Sequence, residues 1–238
     1  MTPLLEISVE SLASAVAAER GGAHRIELCS DLSIGGITPS ADLMRNTRAA
    51  VKIPIFAMIR PRGGNFLYSG SELAQMRRDI TVAKSCKMDG LVLGILHADN
   101  TVDIEHTRKL VKTAGPLPVT FHRAFDETPD LHKALEAVIQ TGATRILTSG
   151  GKPTAAGGTA VLADLVAAAT DRIIILPGGG INTSNFPGLV RATRALEFHS
   201  GLGTTLPYGQ SSEAAFSSAV SELVSLLQRQ PPFATSHT

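Results

Sequence analysis

Short apolar runs recur along this chain at regular spacing, and each is followed by a stretch of helical periodicity. That alternation constrains the fold more than any other feature. Strand-like runs cover Leu4–Val9, Arg25–Cys29, Ile55–Arg60, Gly90–Ile95, Pro118–His122, Arg145–Ser149, Arg172–Leu176 and Ala195–His199. Helical patterns occupy the gaps, as at Ser11–Arg20, Ala41–Val51, Glu72–Lys87, Ile104–Thr113, Leu131–Thr141 and Ser212–Gln228. A helix between successive strands returns the chain to the same sheet edge, so the strands run parallel, and eight such units close a barrel. The expectation is an α/β chain forming a single (β/α)8 TIM barrel over residues 1–229. Residues 230–238, containing Pro and Ser/Thr, read as a flexible C-terminal tail.

Local chemistry agrees with this layout. Gly22–Ser30, Gly142–Gly150 and Ala192–Ser200 resemble one another, each reading as a helix end, a turn and a strand. Thr38-Pro39 and Thr128-Pro129 place a hydroxyl before a proline, which predicts Thr N-caps. Ser69 with Glu72 predicts a capping box. No composition break divides the chain.

The charge balance, 22 basic against 21 acidic residues without a basic block, gives no footprint for nucleic acid. No run approaches a membrane span, and no signal-peptide pattern precedes Leu4. Two cysteines, Cys29 and Cys86, do not make a disulfide framework, so a reducing, cytoplasmic setting is expected.

Side chains alternate along a strand, and in a barrel the set facing the helices is apolar. Assigning Leu5, Ile7, Ile26, Leu28, Ile55, Ile59, Val119, Phe121, Leu196 and Phe198 outward turns a polar set inward: Glu6, Ser8, Arg25, Glu27, Cys29, Arg60, His122, Glu197 and His199. Unpaired buried charge costs several kcal/mol, so this many ionisable groups are hard to explain as core filling. Active sites of this fold lie at the C-terminal face. Two alternatives stay open: Glu6 with Arg25 can form an ion pair plugging the barrel bottom, and His199 can be a satisfied core histidine.

The loops at that face add Arg60-Pro-Arg62-Gly-Gly after the third strand and His122-Arg123-Ala-Phe-Asp126 after the fifth. Ser149-Gly150 follows the sixth, Gly178-Gly179-Gly180 the seventh and Ser200-Gly-Leu-Gly203 the eighth. Guanidinium forks and exposed backbone N–H groups at glycine-rich loops suit carboxylate or phosphate. A small anionic or polar ligand is expected, bound by Arg60, Arg62, Arg123, Asp126, Ser149, Gly150, Gly178, Gly179, Gly180 and His199.

Gly22–Cys29, Gly35–Ser40, Ile59-Arg-Pro-Arg-Gly-Gly64, Val119-Thr-Phe-His-Arg-Ala-Phe-Asp126, Ile146–Gly150, Pro177–Ile181 and Leu196-Glu-Phe-His-Ser200 resemble the CutC family in order and spacing, over roughly residues 4–228. The resemblance implies a cytoplasmic (β/α)8 barrel, a homodimer or higher homo-oligomer, and a role in copper homeostasis with copper(I) bound at the mouth. It attaches no reaction. After Ser200 the chain lacks the long extension and basic, Ser-rich segment of several relatives, so any role of that segment does not carry over.

Cu(I) prefers thiolate or thioether. The inward set offers one thiol, Cys29, which serves equally as core filler; Cys86 packs in the helix after the third strand. The alternative is an enzyme, a lyase, isomerase or hydrolase. In it Glu27 and Glu197 are acid and base, His122 shuttles a proton, and the arginines hold an anionic or carbonyl-bearing metabolite.

Overall fold

The computed structural model describes residues 3–202 and 212–229. The tail at 230–238 and Gly203 lie outside the described residues. Eight strands, β1 (Leu4–Val9), β2 (Arg25–Leu28), β3 (Ile55–Met58), β4 (Gly90–Leu93), β5 (Val119–Phe121), β6 (Arg145–Thr148), β7 (Ile174–Pro177) and β8 (Glu197–Ser200), alternate with helices α1 (Leu12–Arg20), α2 (Ala41–Ala50), α3 (Gly70–Ser85), α4 (Ile104–Ala114), α5 (Leu131–Thr141), α6 (Thr159–Ala169), α7 (Phe186–Thr193) and α8 (Glu213–Gln228). Neighbouring strands pair in parallel, in the order β7-β6-β5-β4-β3-β2-β1-β8. A parallel bridge between Gly178 and His199 links the two ends and closes the barrel.

Several strands are shorter than their apolar runs. Cys29, Arg60, His122 and Ser149 fall just past the ends of β2, β3, β5 and β6. These are the positions where the chain turns into the mouth loops. β7 begins late because Arg172 still belongs to the preceding turn, its N–H donating to the Ala169 carbonyl.

The Thr-Pro caps are corrected. Ser40 caps α2, accepting from Leu43 N, and Asp130 caps α5, accepting from His132 and Lys133 N. A residue before proline is pushed to extended backbone, and Thr128 is extended, so each helix starts after its proline. Thr38 instead ties loops together, accepting from Arg60 N at 2.9 Å. The Ser69–Glu72 capping box forms.

The alternation holds in three dimensions. Leu5, Ile7, Ile26, Leu28, Ile55, Ile59, Val119, Phe121 and Phe198 join the large core between barrel and helices. Cys29, Phe56, Met58 and Val92 form a separate small cluster inside the barrel.

Candidate functional site

The barrel interior is built in tiers, and the lowest is a buried ion network. Register places Glu197 at the start of β8 opposite Leu4, and Arg25 opposite Glu6. Arg25 donates to Glu6 through Nε and to Glu197 through Nη2 at 2.7 Å. Arg145 grips Glu197 with Nε at 2.7 Å and Nη2 at 3.1 Å. Both guanidinium groups also lie against the Phe56 ring, 4.6 and 5.3 Å from its centroid. Paired charges with ring contacts are how ions are tolerated in an interior. Arg145 escaped the sequence reading, although alternation carried into β6 points it inward with Leu147 and Ser149.

The middle tier joins Glu6, His199 and Glu27. Glu6 is fully buried, and burial by itself disfavours its charge. Arg25 and His199 outweigh that effect and hold its carboxyl at about 2. His199 Nδ1 is 2.7 Å from Glu6 Oε1. Because Glu6 is ionised, Nδ1 carries the proton and Nε2 is directed to Glu27 Oε2, 3.9 Å away. Burial opposes charge on His199, yet Glu27 and Glu6 together raise its pKa. Glu27 lies just above. Burial pushes its carboxyl above the usual carboxylate range, against the pull of His199. Its Oε2 accepts from Cys29 Sγ at 3.5 Å, and its Oε1 is buried without a partner among the described residues.

His122 closes the tier at the end of β5. Its Nδ1 accepts from Ala124 N at 3.2 Å, which leaves the proton on Nε2, a buried atom with no partner among the described residues. Burial, reinforced by Arg60, drives its pKa down to about 3. The ring presses against Gly94, just past the end of β4, where an added Cβ would come within 2.6 Å of Nδ1. Phe66 packs on it, with ring centroids 4.8 Å apart.

The rim arginines are largely committed to the protein itself. Arg60, 4% exposed, donates to the carbonyls of Ile34, Gly36 and Gly64 and so pins the loops after β2 and β3. Arg62 bonds Glu72 at 2.6 Å and lies over Tyr68, outside the cavity lining. Arg123 donates to Asp126 and Ser149, both at 2.9 Å. Its Nη1 makes neither contact and sits beside Gly179, where an added Cβ would be 3.5 Å away. Asp126 accepts from Thr148, Ser149 N and Gly151 N, knitting the loop after β6. Gly150 packs against Gly158 within that same loop.

These groups surround a cavity of about 550 Å³ at the C-terminal mouth. Glu27, Arg60, His122, Arg123, Gly179, Gly180 and His199 line it, with an apolar wall of Leu32, Ile34, Met58, Phe66 and Leu147. Cys29, Arg62, Asp126, Ser149, Gly150, Gly178 and Glu197 are not in the lining. Glu127, Leu32, Ile34 and Phe66 carry no such signal in the sequence, since loop residues have no periodicity that shows where they point.

Residues 3–204 match the model of the CutC family. The chain is 47% identical over 199 residues to a family protein CutC of Chromobacterium violaceum, covering 84% of this chain and 81% of that one. It is 47% identical over 206 residues to the copper homeostasis protein cutC homolog of Homo sapiens, covering 87% of this chain and 76% of that one. Among solved structures, CutC from Streptococcus agalactiae matches with a TM-score of 0.79 at 34% identity, over 83% of this chain and 98% of that chain.

Proposed function

The chain belongs to the CutC family, and from that premise we propose that its barrel mouth is an acid–base site for a small polar metabolite bearing one anionic group. Glu27 is the proton-transfer group. Its partnerless oxygen in a carboxylate only 3% exposed, on the wall of a cavity at the catalytic face of the fold, carries the reading. Neutral His122 is a hydrogen-bond donor through Nε2, suited to a carbonyl or hydroxyl oxygen that gains negative charge. Arg123 Nη1 and the Gly179-Gly180 backbone form the anion corner. The reaction class is proton transfer at a carbon or oxygen next to that group, as in an isomerase or lyase. Among the described residues no helix is long and apolar enough to cross a membrane. A cytoplasmic homo-oligomer is part of the same proposal.

The test is a thermal-shift screen of small phosphate- and carboxylate-bearing metabolites, because a ligand that binds only the native state raises its stability. At least one compound is expected to raise the unfolding temperature of the wild type and of Glu27→Gln, but not of Arg123→Ala. Hits indifferent to Arg123 would overturn the anion corner. Hits turned over equally fast by Glu27→Gln would remove Glu27 from the chemistry.

Copper(I) does not fit this donor set. It calls for thiolate or thioether ligands. Cys29 is buried outside the cavity lining, and burial, then Glu27, pushes its thiol well above its ordinary range. Met58 supplies one thioether to the wall. Cys86 is remote, at the end of α3, its thiol near the Ala41 carbonyl. Anaerobic Cu(I) competition is therefore expected to find weak binding that is the same in wild type and Cys29→Ala. Tight stoichiometric binding lost in Cys29→Ala would reverse this conclusion.

A further inference from the structure

Glu27 and His199 have a second capacity that proton transfer leaves unused. One ligand atom each from Glu6, Glu27 and His199 lies within 4.8 Å of the others, and all three residues are buried. Within this trio Glu6 is already committed, with one oxygen on Arg25 and the other on His199 Nδ1. A carboxylate on one ring nitrogen is the usual support of a metal-binding histidine, since it fixes the tautomer and directs the other nitrogen at the ion. That other nitrogen, Nε2, faces Glu27 Oε2 across 3.9 Å. Bonds of about 2.0–2.2 Å from nitrogen and oxygen to zinc let a single ion reach both atoms.

Two further observations point the same way. Among the described residues Glu27 Oε1 is buried and has no hydrogen-bond partner, so this carboxylate keeps an oxygen for coordination. Glu27 and His199 both line the cavity of about 550 Å³ that the described residues form, which has room for water to complete the coordination. The donors are one imidazole nitrogen and carboxylate oxygen, a set for divalent first-row ions rather than for a soft monovalent one.

The geometry points to a divalent-cation site of the zinc class, held by His199 Nε2 and Glu27, with Glu6 behind the histidine as its positioning residue. An ion at this place engages the Glu27 carboxylate and so excludes it from proton transfer. The inference goes beyond the metabolite reading and fails separately from it: Arg123-dependent metabolite binding stands whether or not the ion binds.

The experiment is titration with Zn²⁺ alone against a chromophoric chelator. It is run on a His106→Ala background, because His106 Nδ1 and Asp103 Oδ2, 2.7 Å apart with His97 nearby, are competing donors for a free ion. One equivalent is expected to bind. Glu27→Gln and His199→Gln should each weaken it by at least about tenfold, Glu6→Gln by about tenfold through loss of histidine support, and Cys29→Ala not at all. Glu27→Gln is isosteric and decides the question alone if His199→Gln lowers the folded fraction. Absence of binding, binding indifferent to Glu27→Gln, or binding lost in Cys29→Ala would each overturn the site.

Discussion

Acidification from pH 6.5 to about pH 4.5 is expected to cost the native state about 2–3 kcal/mol through His122 alone. In the unfolded chain this imidazole takes up a proton near its ordinary value of 6.5, whereas in the barrel burial and Arg60 hold its pKa at about 3. Between those values the unfolded state binds the extra proton, so stability rises with pH and is lost as pH falls through the window. His24, half-buried with a lowered pKa, acts in the same direction. Glu27 acts in the opposite one, because its raised pKa makes the folded state the better proton binder. Glu6, held at about 2, contributes stability that is lost only as pH falls below its ordinary 4.5. The range above about pH 4.5 therefore excludes Glu6, while Glu27 titrates within it and offsets part of the histidine slope in wild type and variant alike. Urea denaturation across that range should show a slope in the wild type that flattens in His122→Asn, whose side-chain oxygen can still accept from Ala124 N. An unchanged slope in that variant would mean that His122 is charged in the native barrel.

Removing the carboxylate of Glu197 is expected to destabilise the fold by about 3–5 kcal/mol, the range for breaking a buried ion pair from one side. Glu197 is the shared acceptor of Arg25, 3% exposed, and Arg145. Glu197→Ala strands both guanidinium groups against Phe56, with Glu6 left to satisfy Arg25. The double variant Glu197→Ala, Arg145→Met should recover part of the loss, because it removes a stranded charge together with its partner. Denaturation midpoints of wild type, single and double variants measure this. If Glu197 were a proton-transfer group at the mouth, Glu197→Gln would leave stability within about 0.5 kcal/mol of wild type. The ion network predicts a clear drop, because an amide satisfies two arginines poorly.

In the sequence the two glutamates look alike: alternation turns both inward, as acid–base partners. Their difference lies in height along the barrel axis. Glu197 opens β8 and sits among arginines, whereas Glu27 is the third residue of β2 and reaches the cavity. Sequence gives the side of a strand a residue faces, but barrel tilt and stagger decide which residues of neighbouring strands share a tier. The arginines carry the same lesson. Arg60-Pro-Arg62 and Arg123 read as an anion clamp, yet Arg60 holds backbone carbonyls, Arg62 holds Glu72, and only Arg123 keeps a nitrogen toward the glycine loop. A guanidinium satisfies a loop carbonyl as readily as a ligand, and no local pattern distinguishes the two.

What the amino-acid order determined by itself was periodic. Apolar alternation at two residues and at a helical turn set the eight βα units, the parallel sheet, and the side of each strand that carries Glu6, Glu27, His122 and His199. Those properties depend on neighbours a few residues away. The tertiary structure alone decided which polar groups meet: Glu6 with His199 across 193 positions, Arg25 with Glu197 across 172, and Cys29 turned to Glu27 outside the cavity lining. Partners so distant in the chain are brought together only by barrel closure. Closure is also what strips water from them and sets which carboxyl is ionised, which imidazole is neutral and which oxygen is left without a partner among the described residues.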